Sequence, residues 1–411
     1  MTTLSVVIPA YNEEDGIAEI VQRVLGVKDS LLQAGIADLE LLVVDDGSRD
    51  QTAQITSQIT GVRLIRHPKN RGYGAALKTG FANARGELIG FLDADGTYPP
   101  EYFPQLCTEA LKGVDLVIGS RMAGAESHMP ATRRVGNFFF ANLLSLVGRQ
   151  RISDSASGMR VFKREVMNLV YPLPDGLNLT PVMSARALHE NIKMSEVPIP
   201  YSERKGRSKL SVVKDGATFL QSILWTVMNY NPVRVLGLLG ASGVGIAFLI
   251  GLGIVITRLQ GVTTLGVWGV AALFVAMVSA VTGISLFSLG ATFNYLVSLF
   301  YKRPIRQGLF GRPIFKQSLD RQFGWMGALA VGVGLLVALG SLILSVQGWE
   351  IARLWLYLTG GAMVILMGVQ LLISWILMRV LEELSEREGV KQPEENTPEV
   401  STAVEQDYRT A

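Results

Sequence analysis

The sequence predicts an α/β domain built on a mostly parallel sheet, followed by a region of four transmembrane helices. Three observations carry that expectation. Over roughly the first 230 residues, short runs rich in Val, Ile and Leu alternate with helix-like segments, the pattern of βα units with helices on both faces of a sheet. After Tyr230 come four stretches without a charged side chain, Val235 to Ile256, Leu259 to Tyr301, Gln322 to Trp349 and Leu354 to Met378. Each reaches the ~20 residues a helix needs to cross a bilayer. Third, three of the predicted strands end in polar and acidic residues, at 9 to 13, at Asp45-Asp46 and at Asp93-Ala94-Asp95, where open α/β sheets bind ligands.

Taken in order, LSVVIPA is the first strand and a polar helix starts from Glu13. LELLVVDD is followed by DQTAQITSQI, VRLIRH by GYGAALKTGFANA, ELIGFLDAD by PPEYFPQLCTEAL, and VDLVIGSR is a fifth strand. A dinucleotide fingerprint is excluded, because Gly72 and Gly74 are followed by Leu77 where G-x-G-x-x-G requires its third glycine. These glycines instead suit a helix packed close to the sheet. Amphipathic helices near 135 to 148 and 209 to 229 lead to the four spans. The second uncharged stretch is too long for one crossing, so its end, from about Phe287 or Asn294, is expected to leave the hydrocarbon or lie along its surface. The small-residue face GLLGASGVG suits helix pairing, including homo-oligomers. The boundaries are 1–210 for the α/β domain, 209–232 for a juxtamembrane helix, 233–384 for the membrane region and 385–411 for a polar, disordered tail.

The chain has 411 residues, 49% of them hydrophobic, with a formal charge of +3 and one cysteine. Cys107 alone excludes a disulfide framework, and the charge gives no sign of a nucleic-acid partner. Lys302, Arg303, Arg306, Arg312, Lys316 and Arg321 lie between the second and third spans, against only Arg258, Glu350 and Arg353 in the opposite loops. By the positive-inside rule that places the α/β domain in the cytoplasm. No signal peptide precedes the first strand, which agrees. His67, His128 and His189 form no metal-ligand spacing.

Two carboxylates one residue apart at the tip of a buried strand are costly unless a cation joins them. For Asp93 and Asp95 a hard divalent ion, Mg²⁺ or Mn²⁺, is the natural partner, with its remaining ligands from water and a substrate diphosphate.

PAYNE, VVDDGSRD, FLDADGTYPPE, IGSR, ISDSASGMRVF and YSERKGRSKLS, in this order and spacing, resemble the family 2 glycosyltransferases, and within them the polyprenyl-phosphate branch of the dolichyl-phosphate mannose synthase type. The resemblance covers residues 4 to about 230. It implies a nucleotide-sugar-binding domain of the GT-A, Rossmann-like kind, and an inverting, metal-dependent transfer of a sugar from a UDP- or GDP-sugar to a membrane polyprenyl phosphate. It assigns Pro9, Tyr11 and Glu13 to the nucleotide pocket, and Asp46, with Asp45 as its alternative, to the base. A carboxylate there suits uracil N3 or guanine N1 alike. Asp93 and Asp95 fall on the diphosphate and metal positions, and Arg121 meets phosphate. Arg204 and Lys209 fall in a basic loop over the diphosphate; the same charges also suit anionic lipid. Some relatives carry a metal-binding Gln two residues after the second Asp; here Thr97 stands there, and its hydroxyl or a water would substitute.

The acceptor is argued separately. A hydroxyl acceptor needs a general base, whereas a phosphate monoester is already ionised. The hydroxyl-directed synthases carry an acidic T-E-D-type motif and a Q-x-x-R-W motif. Here LNLTPVMSARALHE has no carboxylate before Glu190, and QSILW has Leu224 in place of the Arg. ATRRVGNFFFANLLSLVGRQR places arginines at both ends of an apolar helix face, suited to a membrane surface. By resemblance Arg133 and Asn137 hold the acceptor phosphate, with Arg134 as rival. Asp154 is expected near the acceptor, as base or as the residue that orients Arg160. The competing readings are transfer to a lipid hydroxyl, with a base among Asp154 and Glu190, and an inactive membrane scaffold.

Overall fold

The structure is a computed structural model that describes residues 2–122, 129–147, 150–202, 212–262, 266–301, 319–349 and 351–390. Two compact units divide the chain, Met1–Val227 and Met228–Ala411.

The first unit contains strands β1 (Thr3–Ala10), β2 (Asp38–Asp45), β3 (Val62–Arg66), β4 (Leu88–Phe91), β5 (Leu116–Ser120), β6 (Arg160–Lys163) and β7 (Met194–Pro198). Between and after them lie α1 (Ile17–Gly26), α2 (Lys28–Gln33), α3 (Thr52–Ser57), α4 (Tyr73–Asn83), α5 (Phe103–Leu111), α6 (Ala131–Val147), α7 (Val166–Val170), α8 (Leu179–His189) and α9 (Val212–Tyr230). The strands form one sheet in the order β3-β2-β1-β4-β6-β5-β7. Every pair is parallel except those of β6, which runs against both β4 and β5.

Alternation along the strands feeds two cores. Val6 and Ile8 pack with Ile17, Ile20 and Val24 of α1 and Phe103 and Leu106 of α5. Val7 points the other way, to Leu77 and Phe81 of α4 and to Leu179 and Met183 of α8. A strand buried on both faces reads as a continuous apolar run, which is why LSVVIPA is so recognisable. Phe81, Phe91 and Phe162 close the second core through tilted and edge-on ring contacts. The close helix packing expected of the glycines divides between two surfaces. A Cβ at Gly80 would strike Val7 of the sheet, whereas one at Gly72 or Gly74 would strike the backbone of the 174–176 loop.

The second unit holds α10 (Pro232–Leu259), α11 (Val267–Tyr301), α12 (Leu319–Val346) and α13 (Ile351–Val390). All four are long and apolar enough to cross a membrane, the signature of an integral membrane protein. α11 is one continuous helix of 35 residues, about 50 Å long, with no break at Phe287 or Asn294. α13 continues to Val390, so residues 385–390, expected in the disordered tail, are helical. The polar run SERE is made of residues that favour helix or cost it little. The rest of that tail and the basic loop between the second and third spans lie outside the described residues, apart from Arg321 at the start of α12.

Small residues pair these helices within the chain. A Cβ at Gly240 of α10 would meet Gly283 O of α11 at 2.5 Å, and one at Gly283 would meet Gly240 O at 2.7 Å. The GLLGASGVG face therefore packs on α11 within the chain through Gly240 and Gly243. Gly327 and Gly368 stand in the same reciprocal relation between α12 and α13. The two hairpins meet where Phe287, Phe323 and Trp375 pack around Leu371 and Met378.

Candidate active site

One end of every parallel strand, and the start of reversed β6, open on a cavity of about 600 Å³. Pro9, Tyr11 and Glu13 line it where β1 ends, Asp46 after β2, Asp93 and Asp95 after β4, Arg121 after β5 and Tyr201 after β7.

The segments after β1 and β2 are knitted together. Asn12 N–H donates to Ser48 Oγ and Arg49 N–H to Asn12 Oδ1, both at 2.9 Å, and Glu13 N–H donates to Thr52 Oγ1 at 2.9 Å. Asn12 and Gly47 take positive φ of 51° and 73° to make these turns. Asp46, 2% exposed, accepts from Arg71 N at 2.9 Å, Gly72 N at 2.8 Å and His67 Nδ1 at 2.7 Å. Asp45 does not line the cavity. It accepts from Ser48 N at 3.1 Å and faces Arg66 at 3.5 Å, a turn-holding carboxylate rather than an alternative to Asp46.

Asp93 is wedged. Tyr73 hydroxyl donates to its Oδ1 at 2.8 Å, and on the other side the backbone of Gly158 leaves no room for a Cβ. Burial, then the charge of Asp93 and its hydrogen bond, push the Tyr73 phenol well above its usual range, so it stays a donor. Asp95 Oδ1 accepts from the Thr97 hydroxyl at 2.6 Å and Thr97 N–H at 3.1 Å. Thr97 thus orients Asp95 and does not line the cavity. Among the described residues no cluster of three or more His, Cys, Asp or Glu side chains could hold a metal. The all-oxygen pair nevertheless fits a hard divalent ion that draws its other ligands from water and substrate, with Asp93 gripped on both sides and Asp95 braced by Thr97.

At the other end Arg121 donates to Asp154 through Nε at 2.7 Å and Nη2 at 2.8 Å, and its backbone N–H adds a third bond at 3.0 Å. Its guanidinium carbon lies 5.7 Å from the Tyr98 ring centre and 5.3 Å from that of Tyr201, within cation–π range. Burial alone would lower the basicity of Arg121, but Asp154 and the tyrosines hold its pKa well above the ordinary value. Asp154 therefore orients Arg121, which corrects the expected pairing with Arg160. With both oxygens committed and no exposure, it is also not placed to act as base.

Arg160, fully buried, instead donates to the carbonyls of Ser155 and Ser157 at 2.8 and 3.1 Å. Burial pushes its pKa down to about 10. Glu196 of β7 accepts from the N–H groups of Ser153 and Asp154, both at 2.9 Å. The loop before β6 is thereby fixed from two sides.

On α6, Arg133 and Asn137 line the cavity, while Arg134 is exposed and does not. Val135, Phe138 and Phe139 expose 69%, 64% and 54% of their surface, an outward apolar face beside Arg134. Glu190 does not line the cavity either. Arg204 and Lys209 lie outside the described residues. The sequence reading gave no role to Tyr73, to Tyr98 and Tyr201, although these last two stand inside the motifs FLDADGTYPPE and YSERKGRSKLS, or to Asp215 and Phe219 of α9; all five line the cavity.

Residues 5–170 match the family model for glycosyl transferase family 2, and residues 232–392 match one described as a domain of unknown function (DUF8752). The chain is 31% identical over 221 residues to a dolichyl-phosphate hexose transferase of Haloferax volcanii, covering 54% of this chain and 92% of that protein. It is 29% identical to an undecaprenyl-phosphate 4-deoxy-4-formamido-L-arabinose transferase of Pseudomonas fluorescens, covering 62% of this chain and 74% of that one. Among solved structures, glucosyl-3-phosphoglycerate synthase from Mycobacterium tuberculosis, in complex with Mn²⁺, UDP and glucosyl-3-phosphoglycerate, superposes with a TM-score of 0.43 at 22% identity, over 55% of this chain and 79% of that one.

Proposed function

Because this chain belongs to glycosyl transferase family 2, we propose that it transfers a monosaccharide from a nucleoside-diphosphate sugar, UDP- or GDP-linked, to the phosphate of a membrane polyprenyl phosphate. The names of two of its relatives, a dolichyl-phosphate hexose transferase and an undecaprenyl-phosphate aminosugar transferase, support a phosphate acceptor. The observation that carries the reading is the chemistry of the acceptor end. Arg121 is pinned by Asp154 with its Nη1 unpartnered among the described residues, and Arg133 and Asn137 line the same cavity. This is a donor-rich setting for a phosphate.

In this mechanism Pro9, Tyr11, Glu13 and Asp46 hold the nucleoside, and Asp93 and Asp95 would hold Mg²⁺ or Mn²⁺. When bound, the ion neutralises charge developing on the departing diphosphate. Arg121 and Arg133 hold the acceptor phosphate with Asn137. An oxygen of that phosphate attacks the anomeric carbon in line, a new C–O bond forms, and the bond to the donor diphosphate breaks with its electron pair. The product is a polyprenyl-phosphate monosaccharide of inverted configuration. No base has to remove a proton from an ionised phosphate, which agrees with the commitment of Asp154 to Arg121. The basic loop between the second and third spans supports a cytoplasmic α/β domain. Asp215 on the cavity wall favours the second reading, transfer to a lipid hydroxyl with a carboxylate base.

The test is thin-layer separation of lipid products after incubating the detergent-solubilised full chain and Mg²⁺ with radiolabelled UDP- and GDP-sugars and either a short polyprenyl phosphate or diacylglycerol. A labelled lipid sensitive to mild acid, formed only with the polyprenyl phosphate, is the expected result. Label on diacylglycerol alone would replace this reading with the second, and no product from folded protein would remove both.

A further inference from the structure

Within the donor pocket proposed above, we infer that the site takes a pyrimidine base carrying an N3–H, uracil in the first instance, and rejects guanine, and that His67 is the residue that sets this choice. The inference rests on that donor reading. It begins with the acceptor capacity of Asp46.

A carboxylate oxygen accepts about two hydrogen bonds. Oδ1 of Asp46 already receives His67 Nδ1 at 2.7 Å and Arg71 N at 2.9 Å, and Oδ2 receives Gly72 N at 2.8 Å. Among the described residues nothing else reaches this carboxylate. Oδ1 is therefore full, and Oδ2 retains a single acceptor position at a residue that lines the cavity.

The histidine cannot be read the other way round. A carboxylate only accepts, so Nδ1 carries a proton toward Asp46, while Nε2 lies 2.9 Å from Thr79 Oγ1, a hydroxyl that can donate or accept. His67 is 6% exposed, with Thr79 on α4 holding its far side, so the ring cannot swing away to release Oδ1.

Guanine presents two parallel donors on its pairing edge, N1–H and an N2 amino hydrogen, and matches a carboxylate only if both oxygens are open. Uracil presents one donor, N3–H. A pocket with one acceptor position satisfies uracil and leaves the second guanine donor buried without a partner, which selects against guanine by about tenfold or more. Cytosine offers an N3 lone pair where the carboxylate needs a proton, and is disfavoured more simply. Thymine shares the N3–H of uracil and belongs with it.

The experiment is competition calorimetry of UDP, GDP and CDP against the detergent-solubilised full chain with Mg²⁺. UDP binding at least about tenfold tighter than GDP and CDP is expected. GDP binding as tightly as UDP would overturn the inference while leaving a nucleotide donor standing. Binding of none of the three to folded protein would overturn it together with the donor reading. In a folded His67→Ala variant Oδ1 regains an acceptor position, so the UDP-to-GDP affinity ratio narrows. A ratio unchanged from the wild type would remove His67 from the choice, and the wild-type panel stands if that variant does not fold.

Discussion

An alanine at Gly158 would set a methyl group against the carboxylate of Asp93. Its Cβ would lie 2.8 Å from both Cγ and Oδ1 of Asp93, and nearer still to Oδ2. Gly158 is not among the residues with positive φ, so the backbone itself accepts alanine. Relief to even a tight contact of 3.4 Å at Cγ, from 2.8 Å, moves the carboxyl by about 0.6 Å. That motion presses Asp93 toward the Tyr73 hydroxyl 2.8 Å away. Reacting groups must be held within about 0.5 Å of productive geometry, and a misplacement of about 1 Å costs on the order of a hundredfold. Turnover in Gly158→Ala is therefore expected to fall about ten- to a hundredfold, while the overpacking costs only about 1–3 kcal/mol of stability. The assay is the initial rate of lipid product at saturating donor and acceptor, with thermal unfolding in the same detergent. A folded variant turning over within twofold of wild type would refute the idea that the position of Asp93 matters.

Asp154→Asn strips the counter-charge from buried Arg121 and is expected to cost about 3–5 kcal/mol near neutral pH. Burial raises the Asp154 pKa, but the charge and hydrogen bonds of Arg121 lower it further, so the carboxyl sits below its usual range. Its contribution is therefore complete above about pH 4 and is lost as pH falls through the folded value. Chemical denaturation of wild type and variant should converge in acid, and a gap that is constant with pH would count against the pairing. Arg133→Ala should raise the KM for the polyprenyl phosphate about tenfold, and Arg134→Ala should leave it within about threefold, because only Arg133 lines the cavity; steady-state kinetics with varied acceptor compares them. Gly283→Leu should lower the melting temperature in detergent without changing the oligomeric state, since a Cβ there meets Gly240 O of the same chain at 2.7 Å. A shift in size-exclusion elution with unchanged melting would assign that face to another copy.

Strands buried on both faces were legible because their apolar runs are unbroken, and the carboxylates at their tips were legible with them. β6 was not, because RVFK holds only two apolar residues between two cations. β7 was missed for a related reason: MSEVP is largely half-buried, so it alternates weakly and ends in a proline. Site residues next to a strand end needed no tertiary information, whereas their partners did. Asp154 and Arg121 stand 33 positions apart, and the nearer Arg160 was the natural but mistaken partner. His67 had no ligand spacing to announce it, and its role depends on a contact 21 positions away in the chain. The helix-pairing glycines were readable as small, but which surface they meet is decided only when α10 and α11 fold back on each other.

The reversal of β6 has a consequence for how such a chain can diversify. β5 and β6 run antiparallel, so β5 finishes at the same edge of the sheet where β6 starts, and the chain between them is joined to the sheet at that edge. Arg121, Arg133, Asn137 and Asp154 all ride on that one excursion. The residues proposed above to hold the nucleoside, Pro9, Tyr11, Glu13 and Asp46, follow β1 and β2 in the other half of the sheet. A hairpin with an oversized loop can be lengthened, shortened or exchanged as a cassette while its two strands keep their pairing. Under the proposed function, specificity for what receives the sugar can therefore drift independently of specificity for what delivers it. A graft of residues 121–159 between relatives is the natural unit of that exchange.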